Sequence, residues 1–353
     1  MINILHMTPS IYEGGIEEVI ENIVCGINVD KFKSVVACYN KGSKFEVLRD
    51  KKVKCYQINK HVSAPFEKIE QIRKVIEENN IDIVHSHYCF DAVLAGHLLK
   101  KKVVETVHSI YDRKKGYNFD LERFRYQLSI VDRVVCVSEL VKKHIISDFG
   151  IHPDKVEVIK NWVNKPSMKS EELLISEQKI GTVSRIAPEK GLDDVLDIAA
   201  AFPAATFSIC GNTVGNSNYA NYLKQKALQS NLNNVYFTPF EYNAKNAIYR
   251  SLSIFLVTSR FEGSGLTAME ALLRGCCVIS YDVGDIKNFV KDGVNGYIVK
   301  DIDEMKQKIR YLLENPEHLK AIRKNNANSF ISNNAELYEK MYKCIVTGEE
   351  KNG

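Results

Sequence analysis

Short β-branched runs alternate with longer amphipathic stretches along almost the whole chain, and this alternation restricts the fold more than any other feature. Parallel strands need connections long enough for a helix, so strands separated by helical stretches predict parallel sheets. Residues 4–7, 35–38, 83–87, 103–108, 134–138 and 156–161 read as strands of a first sheet, with helices over 15–27, 66–79 and 121–130. The run from Arg133 to Ser138 is apolar at successive positions, as in a strand covered on both faces. Residues 166–174 break the pattern and read as a linker. A second series follows, with strands over 180–184, 207–210, 235–237, 254–257, 278–281 and 297–299. Its helices lie over 192–201, 219–229, 266–274 and 304–313. The 353 residues suit two α/β domains, 1–165 and 176–330, joined through 166–175 and followed by a C-terminal helix in 331–353, its helical stretch running from Ala335 to Val346. Each is expected to be doubly wound, with ligands beyond the carboxyl ends of its strands and a cleft between the two.

Composition narrows the setting. A 45% hydrophobic and 26% charged chain matches a soluble globular protein. Its longest apolar runs fall far short of the roughly 20 residues that a spanning helix needs. The N-terminal residues lack the basic segment and long apolar core of a secretory signal. Nine scattered cysteines contain no Cys-x-x-Cys pair, so free thiols in a reducing cytoplasm are expected. Residues 1–165 hold 26 basic and 22 acidic side chains, and the remainder holds 22 of each. The excess gathers at Lys100, Lys101, Lys102, Arg113, Lys114, Lys115, Arg123 and Arg125, with Tyr111, Tyr117, Phe119 and Phe124 interleaved as an aromatic part of the face. Such a face suits a polyanion or an anionic membrane surface, and no pattern points to nucleic acid.

The densest chemistry lies in Arg260-Phe-Glu-Gly-Ser-Gly-Leu-Thr-Ala-Met-Glu270. Gly263 and Gly265 let the backbone turn tightly before a helix whose apolar positions are Leu266, Met269 and Leu273. The first N–H groups of such a helix, those of Gly265, Leu266 and Thr267, attract phosphate. Glu262 and Glu270 flank them and can accept hydrogen bonds from hydroxyls. Phosphate between two hydroxyl-binding carboxylates describes a nucleotide sugar.

This segment resembles the Glu-x7-Glu signature of retaining glycosyltransferases of the GT-B architecture, family four. The resemblance implies two Rossmann-like domains, with Glu262 holding hydroxyls of the donor sugar and Glu270 the ribose. Thr182-Val-Ser-Arg-Ile-Ala-Pro-Glu-Lys-Gly191 is similar to the Gly-Arg-x-x-x-x-Lys-Gly element of that family, with Ser184 in place of glycine. Arg185 and Lys190 would then hold the diphosphate and stabilise it as it leaves. Gly14 and Gly15 match a Gly-Gly-x-Glu loop, and His108 matches a histidine that faces the donor sugar. Ser264 stands where Phe or Leu is more frequent in the family, which implies a roomier or more polar sugar pocket. Gly211 begins a partial Gly-x-Gly loop, and the loop ending at Phe240 is expected to hold the base through backbone groups. His85 and His87 share a strand face and read as cleft-lining residues, with no third metal ligand at useful spacing. Asp301 and Asp303 resemble a metal-binding Asp-x-Asp, but their position predicts a helix N-cap at Asp301.

The resemblance implies transfer of a hexose from a nucleoside-diphosphate sugar, a UDP-sugar by preference, to a hydroxyl with retained configuration. The catalytic set would be Arg185, Lys190, Glu262 and His108, with no cofactor and no required metal because fixed cations already face the leaving diphosphate. The acceptor would be a glycan or lipid-linked sugar used in bacterial surface polysaccharide synthesis, with the basic face resting on the inner leaflet. Two rivals are a nucleotide-sugar epimerase of the same architecture and a catalytically silent nucleotide-sugar-binding subunit. An NAD-dependent dehydrogenase is disfavoured by the missing Gly-x-Gly-x-x-Gly.

Overall fold

Valine- and isoleucine-rich runs of only a few residues cannot bury both faces alone, and here they pair side by side in two parallel sheets. The computed structural model describes residues 1–12, 14–61, 65–110, 120–164, 179–212, 217–241, 244–327 and 332–348. The chain divides into two units, Met1–Trp162 with Ser332–Gly353, and Val163–Ile331. The linker expected over 166–175 lies outside the described residues.

In the first unit the elements run β1 (Ile2–Ile11), α1 (Gly15–Gly26), β2 (Phe32–Lys41), α2 (Ser43–Asp50), β3 (Lys54–Gln57), α3 (Pro65–Glu78), β4 (Ile83–Ser86) and α4 (Phe90–Leu98). β5 (Lys102–Val107), α5 (Leu121–Ile130), β6 (Arg133–Cys136), α6 (Glu139–Phe149) and β7 (Val156–Val158) follow. The sheet order is β3-β2-β1-β4-β5-β6-β7, all parallel, and the order reverses between β1 and β4. Val134, Val135 and Cys136 are fully buried, as expected of a strand covered on both faces. The side chain of Ser138 caps α6, which ends at Gly150 with φ +69°, a conformation that suits glycine.

The second unit contains β8 (Lys179–Val183), α7 (Leu192–Ala201), β9 (Thr206–Cys210), α8 (Ser217–Gln229), β10 (Val235–Thr238), α9 (Lys245–Arg250) and β11 (Ile254–Val257). It continues with α10 (Leu266–Leu273), β12 (Cys277–Tyr281), β13 (Gly296–Val299), α11 (Ile302–Glu314) and α12 (Pro316–Ala327). Its order, β10-β9-β8-β11-β12-β13, is again parallel throughout and reverses between β8 and β11. Loops that follow two strands at such a reversal diverge and leave a crevice for a ligand. A last helix, α13 (Ala335–Thr347), belongs to the first unit. Glu339 accepts from the Asn28 amide at 2.7 Å, and Tyr342 is buried against Phe32 and His85.

Several sequence expectations need correction. The first sheet has a seventh, edge strand, β3, whose alternating Lys54-Cys-Tyr-Gln carries too little apolar content to stand out. Helices α2, α4, α6, α9 and α12 were also hidden; α9 has only six residues, and α12 is short of apolar residues. The strands read over 83–87, 103–108, 134–138 and 156–161 stop earlier, so His87, His108 and Ser138 lie just past their strands. Phe124, read as part of the basic aromatic face, is buried with Leu128, Val134 and Phe149. Of that face, Arg113, Lys114, Lys115, Tyr111, Tyr117 and Phe119 lie outside the described residues. Asp301 caps α11 as expected, accepting from the Glu304 amide at 2.9 Å.

Candidate active site

The loops after β8 and β11, on either side of the strand reversal, are tied together before any ligand is considered. The Arg260 amide donates to the Glu189 carbonyl at 2.8 Å, and Thr258 Oγ1 donates to the Lys190 carbonyl at 3.0 Å. Gly191 closes the Pro188–Lys190 turn at φ +58°, where an added methyl would also overlap the Thr258 carbonyl. This turn directs Lys190 to Glu262, with Nζ 2.7 Å from Oε1. Ser259 Oγ donates to the same oxygen at 2.7 Å. Lys190 and Glu262 are each mostly buried, so their attraction is only partly screened. Arg185, by contrast, is 62% exposed and pairs with Glu189 at 2.9 Å. Two carboxylates, Glu189 and Glu262, thus hold the two cations that the sequence singled out.

Gly263, Ser264 and Gly265 are buried and lead into α10. Gly265 adopts φ +75°, and a methyl there would lie 2.5 Å from Ile286 Cγ1, so glycine is needed on both counts. The N-cap residue, Gly265, brings no capping side chain of its own, and Leu266 and Thr267 begin the first turn. Gly284, at φ +59°, passes close to Glu262, a neighbour that the Glu-x7-Glu spacing does not predict. One turn into α10, Glu270 is buried. Tyr249 Oη donates to its Oε2 at 2.6 Å, and Lys245 pairs with its Oε1. Lys245 and Tyr249 are four apart on α9, one face of a helix, which is the signal that sequence reading could have used. Each Glu270 oxygen keeps a further lone pair for a hydroxyl. Gly211 has a structural cause of its own: an added methyl would overlap the Ser184 carbonyl at the end of β8. Phe240 is partly buried beside the cluster of Tyr249, Leu252 and Val257.

In the first unit, Gly14 is the N-cap of α1 and Gly15 its first residue, both exposed. A methyl on Gly14 would lie 2.5 Å from the carboxylate of Glu17, so the chain brings its own anion to this helix start. His108, one residue past β5, is half-buried, and its Nε2 lies 2.9 Å from His87 Nδ1. Burial lowers its pKa to about 3, so its ring is a neutral imidazole and not an imidazolium near neutral pH. His6 supplies the third histidine missed in the sequence. Pairing of β1 with β4 sets it level with His85, although 79 residues separate them. Ligand nitrogens of His6, His85 and His87 lie within 4.8 Å of one another. His85 spends both nitrogens, on Tyr342 at 2.7 Å and Thr106 at 2.6 Å, and its ring stacks on His87. Stacked rings direct their lone pairs side by side rather than at one point, so the trio is a poor metal cage. All three are fully buried, which contradicts the expectation that His85 and His87 line a cleft.

Residues 165–329 match the family of glycosyl transferases group 1, and residues 13–165 match Glycosyltransferase Family 4. The chain belongs to these group 1, family four glycosyltransferases. An uncharacterised glycosyltransferase of Methanocaldococcus jannaschii is 27% identical, over 72% of this chain and 71% of its own length. An uncharacterised protein of the cps region of Klebsiella pneumoniae is 25% identical, over 86% of this chain and 88% of its own. Among solved structures, Anabaena HepE in complex with UDP-glucose superposes with a TM-score of 0.84 at 18% identity, covering 97% of this chain and 100% of that one. The fold of this glycosyltransferase is therefore GT-B. No helix among its described residues is long and apolar enough to cross a membrane.

Proposed function

We propose that this glycosyltransferase moves a hexose from a nucleoside-diphosphate sugar, with UDP as the carrier, to a hydroxyl with retention of configuration. The observation that carries this is the Lys190–Glu262 pair beside the glycine-led start of α10. An arriving diphosphate can draw on Lys190, Arg185 and the N–H groups of Gly265, Leu266 and Thr267. Lys190 then lies between the leaving charge and Glu262, which accepts sugar hydroxyls; Gly263 and Ser264 line the turn between them. Glu270, held by Lys245 and Tyr249, accepts the ribose hydroxyls, while Gly211 and Phe240 lie toward the base. In the first unit, Gly14, Gly15 and His108 contact substrate, His108 as a neutral hydrogen-bonding group. Among the described residues no second carboxylate is assigned to a double displacement, so departure of the diphosphate and attack by the acceptor on one face are the favoured route. Fixed cations serve where a metal otherwise would, so activity is expected to survive EDTA. The UDP preference draws support from the Anabaena HepE complex, a protein of similar fold solved with UDP-glucose.

The test is calorimetric titration with UDP, GDP and ADP alongside Glu270→Ala. UDP is expected to bind most tightly, and Glu270→Ala to weaken it about tenfold or more, the worth of a hydrogen bond to a charged group. Equal affinity of the variant and the parent would remove Glu270 from the ribose site.

For the acceptor we infer a lipid-linked sugar. Lys100, Arg123 and Arg125 are exposed on neighbouring segments, near the exposed Leu98 (63%) and Tyr126 (52%). Cations interleaved with apolar side chains suit an anionic leaflet, each cation contributing about 1 kcal/mol. Sedimentation with phosphatidylglycerol vesicles at low salt is expected to carry the protein down. Loss of that binding in an Arg123→Ala, Arg125→Ala variant is the second expected result, and indifference of both proteins to the vesicles would refute it.

A further inference from the structure

β9 and β10 are neighbours, and the residues that follow them leave the sheet side by side. Asn212, two residues past β9, turns its side-chain amide onto the main chain of Phe240, two residues past β10. The Phe240 N–H donates to Asn212 Oδ1 at 3.2 Å, and Asn212 Nδ2 donates to the Phe240 carbonyl at 3.4 Å. The Asn212 carbonyl accepts from the Ile186 amide at 3.2 Å, which fixes its backbone to the loop that carries Arg185. The Phe240 ring packs in the cluster that holds Tyr249, and Tyr249 donates to Glu270. The Phe240 side chain and the tyrosine that holds the carboxylate assigned to the ribose thus belong to one cluster.

A peptide N–H beside a C=O is the complement of one acceptor beside one donor. A primary amide offers that pair, and so does uracil with O4 beside N3–H. We propose that the Asn212 side chain is a built-in stand-in for the nucleobase, holding the Phe240 edge in the empty site and turning away when a base takes it. This rests on the nucleotide-sugar reading above. The exchange needs only a side-chain rotation, because the Asn212 main chain stays bonded to Ile186. Two neutral hydrogen bonds are traded for two of the same kind, so the base gains little from the edge itself. Asn212 thereby keeps nucleotide affinity low and excludes ligands that cannot replace its amide at the edge.

The experiment is calorimetric binding of UDP and of inorganic diphosphate to the parent, Asn212→Ala and Asn212→Leu proteins. Both variants are expected to bind UDP about tenfold more tightly, the worth of one net hydrogen bond, with diphosphate affinity unchanged. Repeating the titration with GDP and ADP identifies which base gains most. Asn212 as a plain structural clamp predicts the opposite sign, weaker UDP binding in both variants. Weaker or unchanged UDP binding overturns the proposal. The leucine variant keeps the side-chain volume should alanine loosen the loop. A parent protein that binds diphosphate but no nucleotide more tightly would instead sink the nucleotide-sugar reading, and the stand-in with it.

Discussion

Replacing Lys190 with alanine is expected to lower kcat about 100- to 1,000-fold, roughly 3–4 kcal/mol, with a much smaller effect on UDP affinity. The ammonium touches Glu262 at 2.7 Å, and the proposed diphosphate adds a second anion that gains charge as the bond to the sugar breaks. An interaction that strengthens in the transition state appears in kcat more than in binding. Arg185→Ala is expected to cost less, since Arg185 is 62% exposed and its field is screened by water. Sequence reading treated these two cations as equals; only their surroundings separate them. Lys190→Ala also leaves the Glu262 charge without its cation, although Ser259 still donates to it, so a Lys190→Ala, Glu262→Gln double variant is expected to lose much less than the two single losses combined. Steady-state kinetics on the parent, Lys190→Ala, Glu262→Gln and the double variant decides, with Arg185→Ala alongside. Full additivity would mean that the pair does not act as a unit, and unchanged kcat in Lys190→Ala would remove it from the chemistry.

Acidification is expected to destabilise the protein steeply below pH 6.5. His6 and His108 have pKa values lowered to about 3 by burial. His85 and His87 are held well below 6.5 by burial first; His6 and His108 then lower both, and His85 lowers His87 as well. The unfolded chain takes up protons near pH 6.5 that the folded protein refuses, so stability present above that pH is lost as pH falls toward 3. Glu105 works the other way: burial raises it to about 8, and its contribution, full below 4.5, is lost as pH rises through 8. Four histidines oppose one glutamate between pH 4.5 and 6.5, so the net effect of acidification there is a loss of stability. Thermal unfolding between pH 7.5 and 5 measures it. Neither ring nitrogen of His6 has a hydrogen-bond partner among the described residues, so His6→Leu sacrifices no bond and is expected to flatten the slope by about one proton. A melting temperature constant across that range would show that these imidazoles accept protons without unfolding.

Much of this protein is written locally. Period-two and period-3.6 apolar patterns, broken by glycines at chain turns, specify parallel α/β units because strand and helix periodicities act over a few residues. The same locality makes the Gly263-Ser-Gly265 turn legible, since a left-handed φ and a tight approach demand glycine wherever they occur. The Asp301 cap is read from its own helix for the same reason. What pairs across the chain was not legible. His6 meets His85 only because β1 lies beside β4, and Tyr342 reaches His85 across 257 residues. Asn212 meets Phe240, and Lys190 meets Glu262, only because strand order sets their loops side by side. Phe124 looks like a surface aromatic between two arginines until α5 turns it inward. Local chemistry determined the elements, the turns and the phosphate-binding residue types. Tertiary packing decided which of those residues are buried, which are already paired, and how strongly each can act, because desolvation and contact depend on neighbours that sequence distance does not reveal.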